Sequence, residues 1–427
     1  MSRYSKSLWT RRRLLGTGAA VLAAPVIAPR HAWARGDEIR LGWVSPTTGP
    51  IASFGASDDY VLDGVRKAIG EGIEINGKTY PVRIIEKDSQ SSPNRAAEVA
   101  SELILDDEVH LMLSSSTADT VLPVTDQCEL NEVPSVSTDT PWDAFFFARG
   151  GDPAVGFDWT YHFFWGAGQI IDCYASLWSQ IDTNNRVGLL LSNDSDGVAM
   201  SHPKVGMAAM MRERGLEVID GGLFEPLSDD YSAQIGKMKD AGVDIITGAF
   251  LPPDWTTFWV QASQQGFRPK AATIAKAILF PTAVEALGDL GQGVSSEVWW
   301  SPDHPYSSGL TGQSSAELAA GYEQASGRQW IQPTGYKHAL LEVAIDVLKR
   351  CDDPMDAGAM MESIKATNAN TIVGPVSWKD GPVPNAATTP VVGGQWVKGE
   401  QHPYDLKVAE NKYAPEITVQ TEFKALS

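Results

Sequence analysis

The chain has 427 residues, 43% of them hydrophobic, and a formal net charge of −19. That length fits two or three domains, each able to bury a sizeable core. With 34 basic residues against 53 acidic ones, the balance excludes a polyanionic partner such as nucleic acid.

The N-terminus reads as an address and not as part of a fold. Residues 1–34 hold Arg3, Lys6, Arg11, Arg12, Arg13 and Arg30 and no acid, which leaves 28 bases against 53 acids in the remainder. Thr10-Arg11-Arg12-Arg13-Leu14-Leu15 resembles a twin-arginine export signal, and Ala32-Trp33-Ala34 supplies a small-residue cleavage site. The sequence thus predicts export to the periplasm with cleavage near Ala34. The apolar run up to Ile27 is too short and too rich in glycine and alanine for a membrane span. Cys128, Cys173 and Cys351 match no metal spacing, and the pattern predicts buried thiols, with one disulfide between an unassigned pair as the alternative in an oxidising compartment.

From Ile39 onward, strand and helix patterns alternate. Ile39–Val44 alternates like a strand, Ser45 to Pro50 is a turn-rich loop, and Val61, Leu62, Val65, Ala68 and Ile69 mark one helix face. Val82–Glu86 is the next strand. Ser92-Pro93 then opens a helix with a hydroxyl cap and a proline at the first helical position. A strand at Leu111 runs into Ser114-Ser115-Ser116-Thr117 at a helix start, and a second strand at Val133 ends in Ser137-Thr138-Asp139-Thr140. Strict alternation predicts a doubly wound parallel sheet. In such a sheet both polar knots lie at the carboxyl ends of strands, where ligands bind. Free N–H groups at the helix start favour an anion.

The alternation breaks over the aromatic run from Trp142 to Trp165, where the first passage into a second lobe is expected. It resumes with strands at Val187–Leu191, Leu216–Ile219 and Val243–Thr247. The chain is expected to return near Ala275–Pro281, to be helical over Glu317–Lys349, and to cross a last time at Ile372–Trp378. These readings give a first lobe of 35–155 and 281–372, a second lobe of 156–280 and 373–398, and an irregular tail over 399–427. The predicted fold class is α/β, with two doubly wound parallel-sheet lobes joined by a three-segment hinge.

Several stretches together resemble a known family. They are Ile39–Gly55 with its Ser-Pro-Thr-Thr-Gly-Pro loop, Glu86–Ala97, Leu113–Thr117, Val133–Pro141 and Thr371–Trp378. Their order and spacing are similar to type I periplasmic solute-binding proteins of ABC importers, in the branched-chain amino-acid binding group. The resemblance spans roughly residues 38–396. It implies two lobes that close on a small ligand and a permease with its ATPase as partners. Carried over, the ligand site comprises Ser114, Ser115, Ser116 and the group from Ser137 to Thr140 in the first lobe, with Asp196 and Phe250 in the second.

The sequence departs from that pattern at Thr273–Ala277, where an acid usually pairs with the ligand's ammonium. Lys276 stands there instead and is expected to bind a carboxylate or to form a salt bridge within its loop. Asp139 replaces a small residue and offers a negative charge. The family's disulfide positions correspond to Ser91 and Leu113. Twelve tryptophans lie beyond Trp33, several at expected crossings. They suit a cleft that stacks on a flat or apolar guest, and Trp142 is the leading candidate. An aromatic cage for a quaternary ammonium is opposed by Lys276. The expected ligand site is therefore Ser114, Ser115, Ser116, Ser137, Asp139, Thr140, Trp142, Asp196, Phe250 and Lys276.

Asn193–Gly197 resembles the start of a calcium loop, but Pro203 stands where its glutamate belongs. No metal and no cofactor is expected. The leading function is a monomeric, non-catalytic receptor that delivers a small carboxylate-bearing solute, amino-acid-like or an aromatic acid, to a permease. A sensor that presents the same solute to a membrane receptor is the second reading, and an exported cofactor-binding enzyme the third.

Overall fold

The computed structural model describes residues 38–426, so the expected signal segment lies outside the described residues. Two large sheets organise the molecule. The first orders its strands as Ala386–Ala387, Thr160–Phe163, Ser135–Thr138, Leu111–Ser115, Ile39–Ser45 and Val82–Asp88, all paired in parallel. The second runs Tyr404–Glu410, Val392–Lys398, Ser295–Val298, Ala271–Ala275, Ile245–Ala249, Arg186–Ser192 and Glu217–Phe224. Its last five strands are parallel, while the first two are antiparallel additions at one edge. This is the expected two-lobe α/β architecture, with one mixed sheet.

The local signals behave as their chemistry dictates. Ser92 caps the helix Pro93–Leu105 by accepting from the Arg95 amide, with Pro93 at the first helical position. The helix Ser232–Asp240 ends before Gly242, whose φ of 63° is a left-handed conformation that glycine adopts without strain. The helix Pro333–Arg350 is buried along nearly its whole length against the first sheet. It places Lys337 beneath the strand tips.

The passages between lobes differ from the sequence-based boundaries. Thr160–Phe163 still pairs in the first sheet, so the first passage follows Phe163 and not residue 155. Ser295–Val298 belongs to the second sheet, so the second passage comes at Trp299-Trp300 and not near 280. Ala386–Ala387 pairs in the first sheet, which moves the third passage beyond residue 387. The segment expected to make that crossing is a hairpin, Asn368–Thr371 with Gly374–Ser377. The helix expected over Glu317–Lys349 is two helices, separated where Gly327 turns left-handed and Pro333 starts the second. The tail is not wholly irregular, because Tyr404–Glu410 forms the outer strand of the second sheet. Cys128, Cys173 and Cys351 are buried free thiols. Among the described residues no helix is long and apolar enough to cross a membrane.

Candidate functional site

The carboxyl ends of the two sheets face each other across a small cavity of about 30 Å³. Its first-lobe wall starts where the strand Leu111–Ser115 gives way to the helix Ala118–Leu130. Thr117 occupies the position just before that helix, yet its hydroxyl makes no capping bond. The hydroxyls of Ser114, Ser116 and Thr117 are buried, and among the described residues none has a hydrogen-bond partner. A buried hydroxyl without a partner costs on the order of 1–3 kcal/mol, and of the three it is Thr117 that lines the cavity, where a polar guest can partner it.

The second polar knot is arranged from behind. His162 is fully buried, and burial depresses its pKa to about 3, so the ring is neutral. Its Nε2 lies 2.6 Å from the Thr140 carbonyl, which only accepts, so Nε2 carries the proton. Nδ1 then accepts from the Ser137 hydroxyl at 2.9 Å. Thr140 in turn donates to the Ser116 carbonyl at 2.9 Å, tying the two knots together. Between them Asp139 adopts a φ of 70°, and its Oδ2 accepts from the Ser115 hydroxyl. Its Oδ1 is buried without a partner. Burial pushes the Asp139 carboxyl up to about 7, against the pull of Lys337 and Ser115. Lys337 is itself buried, 2.7 Å from Asp58 and 2.8 Å from the Ser45 hydroxyl.

The second-lobe wall is made of paired charges. Asp194 caps the short helix Ser195–Met200 by accepting from the Gly197 amide. Lys276, left-handed at φ 69°, places its ammonium 2.8 Å from both Asp194 and Asp196. Burial alone would lower the Lys276 pKa, but the two aspartates outweigh it and hold the ammonium charged. Burial raises Asp196 to about 6 even so, with Lys276 pulling down and Asp194 and Asp119 pushing up. Beside them Glu297 accepts from the Tyr174 hydroxyl, the Ser296 hydroxyl and the Lys276 amide. Burial raises its pKa too. Lys276 was expected to bind a ligand carboxylate or to form a salt bridge; its charge is matched twice within its own lobe, by Asp194 and Asp196.

The two walls also bond directly to each other. Asp119 Oδ1, in the first turn of the helix Ala118–Leu130, accepts from the amide of Ser195 at 3.0 Å and from its hydroxyl. In return Asp196 Oδ1 accepts from the Ala118 amide at 3.4 Å. A carboxylate of the protein itself thus sits at the helix N-terminus that the sequence reserved for an anion.

Of the residues expected at the site, Ser114, Ser115, Ser116, Ser137 and Thr140 are buried and do not line the cavity, which their neighbour Thr117 does. Asp139, Asp196 and Lys276 line the cavity. Phe250 does not: it is fully buried among Phe224, Trp255 and Phe258 in the core of the second lobe. Trp142 does not line it either. Its ring packs by Phe147 and against the backbone of Gly166, where a Cβ would meet the indole at 2.1 Å. The aromatic lining comes instead from Phe54, Phe164, Trp165 and Trp299. The indole nitrogens of Trp165 and Trp299 are buried without partners. Glu297 was not foreseen, since its segment fell within the range 281–372 assigned to the first lobe. The signal available was an acid inside a short buried strand.

The sequence profile of the periplasmic binding protein family matches residues 38–401. Solved structures share the fold. A leucine-binding protein of Thermotoga maritima MSB8 superposes with a TM-score of 0.71 at 19% identity, over 88% of this chain and 99% of that one. An ABC-transporter solute-binding protein of Rhodopseudomonas palustris BisB5, in complex with 3,4-dihydroxybenzoic acid, gives 0.68 at 19% identity, over 90% and 100%. A branched-chain amino-acid transporter substrate-binding protein of Streptococcus pneumoniae, in complex with isoleucine, gives 0.68 at 16%, over 87% and 99%.

Proposed function

The chain belongs to the periplasmic binding protein family of ABC transporters, and from that premise we propose that it captures one small solute between its lobes and delivers it to a membrane permease and its ATPase. The family's place is the periplasm, which agrees with the export signal read from the first 34 residues. The observation that carries the reading is the cavity at the facing strand tips, lined from both lobes and bordered by buried polar atoms of Thr117, Asp139, Trp165 and Trp299 that the fold leaves without partners. Binding without turnover is the role proposed.

At about 30 Å³ the cavity is far smaller than ordinary ligand pockets, so the lobes must part to admit even a compact guest. Phe54, Phe164, Trp165 and Trp299 favour a flat or apolar body. Structural relatives carry isoleucine and hydroxybenzoates, and both kinds of body suit such a lining. The carboxylate expected as the guest's head group has weaker support, since Lys276 is engaged by Asp194 and Asp196. Monomeric behaviour is part of the proposal.

The test is recovery of the guest. Protein purified under non-denaturing conditions from its native periplasm should release a single small organic molecule, near one per chain, when denatured and read by mass spectrometry. Adding that molecule back to refolded protein should raise thermal stability, by about 2.7 kcal/mol at 100 times its dissociation constant. Release of nothing, together with no stabilisation by extracts of the growth medium, defeats the capture reading.

A further inference from the structure

The charges around the cavity are unequal. Among the described residues that line it, three are carboxyl-bearing, Asp139, Asp196 and Glu297, and one is cationic, Lys276. Lys276 is spent on Asp194 and Asp196, with 2.8 Å contacts to each. The helix N-terminus beside Thr117 is spent as well, because the Ala118 amide already donates to Asp196. An anionic head group would therefore enter a low-dielectric space with no uncommitted cation and with carboxylates on both walls, where like charges repel strongly.

A cationic head group meets the opposite situation. Asp139 Oδ1 is buried, lines the cavity and lacks a partner. The first-lobe knot holds it in place through Ser115. Glu297 stands on the other wall, anchored by Tyr174 and Ser296. The aromatic side chains of Phe54, Trp165 and Trp299 complete the surroundings, and aromatic rings attract cations. The objection that Lys276 repels a cation falls away, because two aspartates neutralise it.

Resting on the capture reading, we propose that the solute is a small protonated amine with a flat or apolar body and no carboxylate, its nitrogen held by Asp139 with Glu297 as the second acid. Asp139 is then the residue that selects the head group, and the aromatic lining selects the body.

Four probes that share one ring separate the head groups: benzylamine, benzoate, benzamide and phenylglycine. Their affinities for the dialysed full-length protein are read by calorimetry at pH 8. Benzylamine should bind at least about tenfold tighter than each of the others, a difference of about 1.4 kcal/mol. Asp139→Asn should weaken benzylamine roughly 10- to 100-fold, the loss expected for a charge-assisted hydrogen bond, while leaving benzamide nearly unchanged. Glu297→Gln should weaken it less. Both variants are checked for native circular dichroism, and the comparison of probes on the unaltered protein depends on neither. Benzoate or phenylglycine binding as tightly as benzylamine overturns the proposal, and so does failure of all four to bind. Neither result touches the capture reading, which is decided by the molecule the purified protein releases.

Discussion

The two walls of the cleft solve the problem of buried polarity in opposite ways. The first lobe keeps the hydroxyls of Ser114, Ser116 and Thr117 and one Asp139 oxygen without partners. The second-lobe wall pairs its charges internally, Lys276 with Asp194 and Asp196, and Glu297 with Tyr174, Ser296 and the Lys276 amide. An unmade hydrogen bond is a standing cost that a guest removes, whereas a finished ion pair gains nothing from one. Recognition should therefore be concentrated on the first wall, and structural integrity and closure on the second.

The largest effect is expected where the second wall is broken. Lys276→Met leaves Asp194 and Asp196 buried without their counterion, which should cost about 3–5 kcal/mol in urea unfolding at neutral pH. The cost should shrink as the pH falls and the aspartates protonate. A loss below about 1 kcal/mol would mean that the two walls do not differ as described.

The first wall should respond in the other direction. Asp139 has its folded pKa raised to about 7, above the ordinary value of 3.8, so its contribution to stability is present at low pH and lost as the pH rises through 7. The carboxyl faces Lys337, Asp58 and the Ser115 hydroxyl within its own lobe, and Asp196, Glu297 and Lys276 share the cavity with it. Asn does not titrate. Asp139→Asn should therefore gain more stability relative to the parent at pH 8 than at pH 5, by roughly 2–3 kcal/mol. Amine binding to the parent should weaken as the pH drops from 8 to 6, and binding to the variant should stay flat. A pH-independent stability difference between the two proteins would remove Asp139 as the responsive group.

The smallest effect concerns the contact between the walls. Ser195→Ala deletes the hydroxyl that donates to Asp119 but keeps the amide. It should cost about 0.5–1.5 kcal/mol of closure, seen as a larger radius of gyration in small-angle scattering. Identical scattering curves would show that this bond does not bias the lobes.

Much of the fold was legible because buried parallel strands and amphipathic helices leave periodic patterns, as over Ile39–Thr138. The passages between lobes were not. Thr160–Phe163 lies inside an aromatic run with no alternation. Ser295–Val298 reads as polar, yet it is fully buried because Ser295 donates to the Ala272 carbonyl on the neighbouring strand and the Ser296 hydroxyl lies between the Ile274 carbonyl and Glu297. Placing that segment in the wrong lobe hid Glu297. At the site, the hydroxyl knots and Asp139 were visible as strand-end polar runs. The choice among aromatics was not, since the burial that puts Phe250 in a core and Trp299 on a cavity is set by tertiary packing. The pairing of Lys276 depended on a left-handed backbone that brings it to a loop 80 residues away in sequence.

Asp196 resting on the Ala118 amide has a kinetic implication. A jaw whose own teeth interlock already has part of its shutting energy supplied before any cargo arrives. Cargo then needs to add only the remainder to tip the balance between open and shut forms. Weak binders would be retained that a looser jaw would drop, and whatever pulls the jaws apart at the membrane must undo these protein-to-protein bonds as well as those to the cargo.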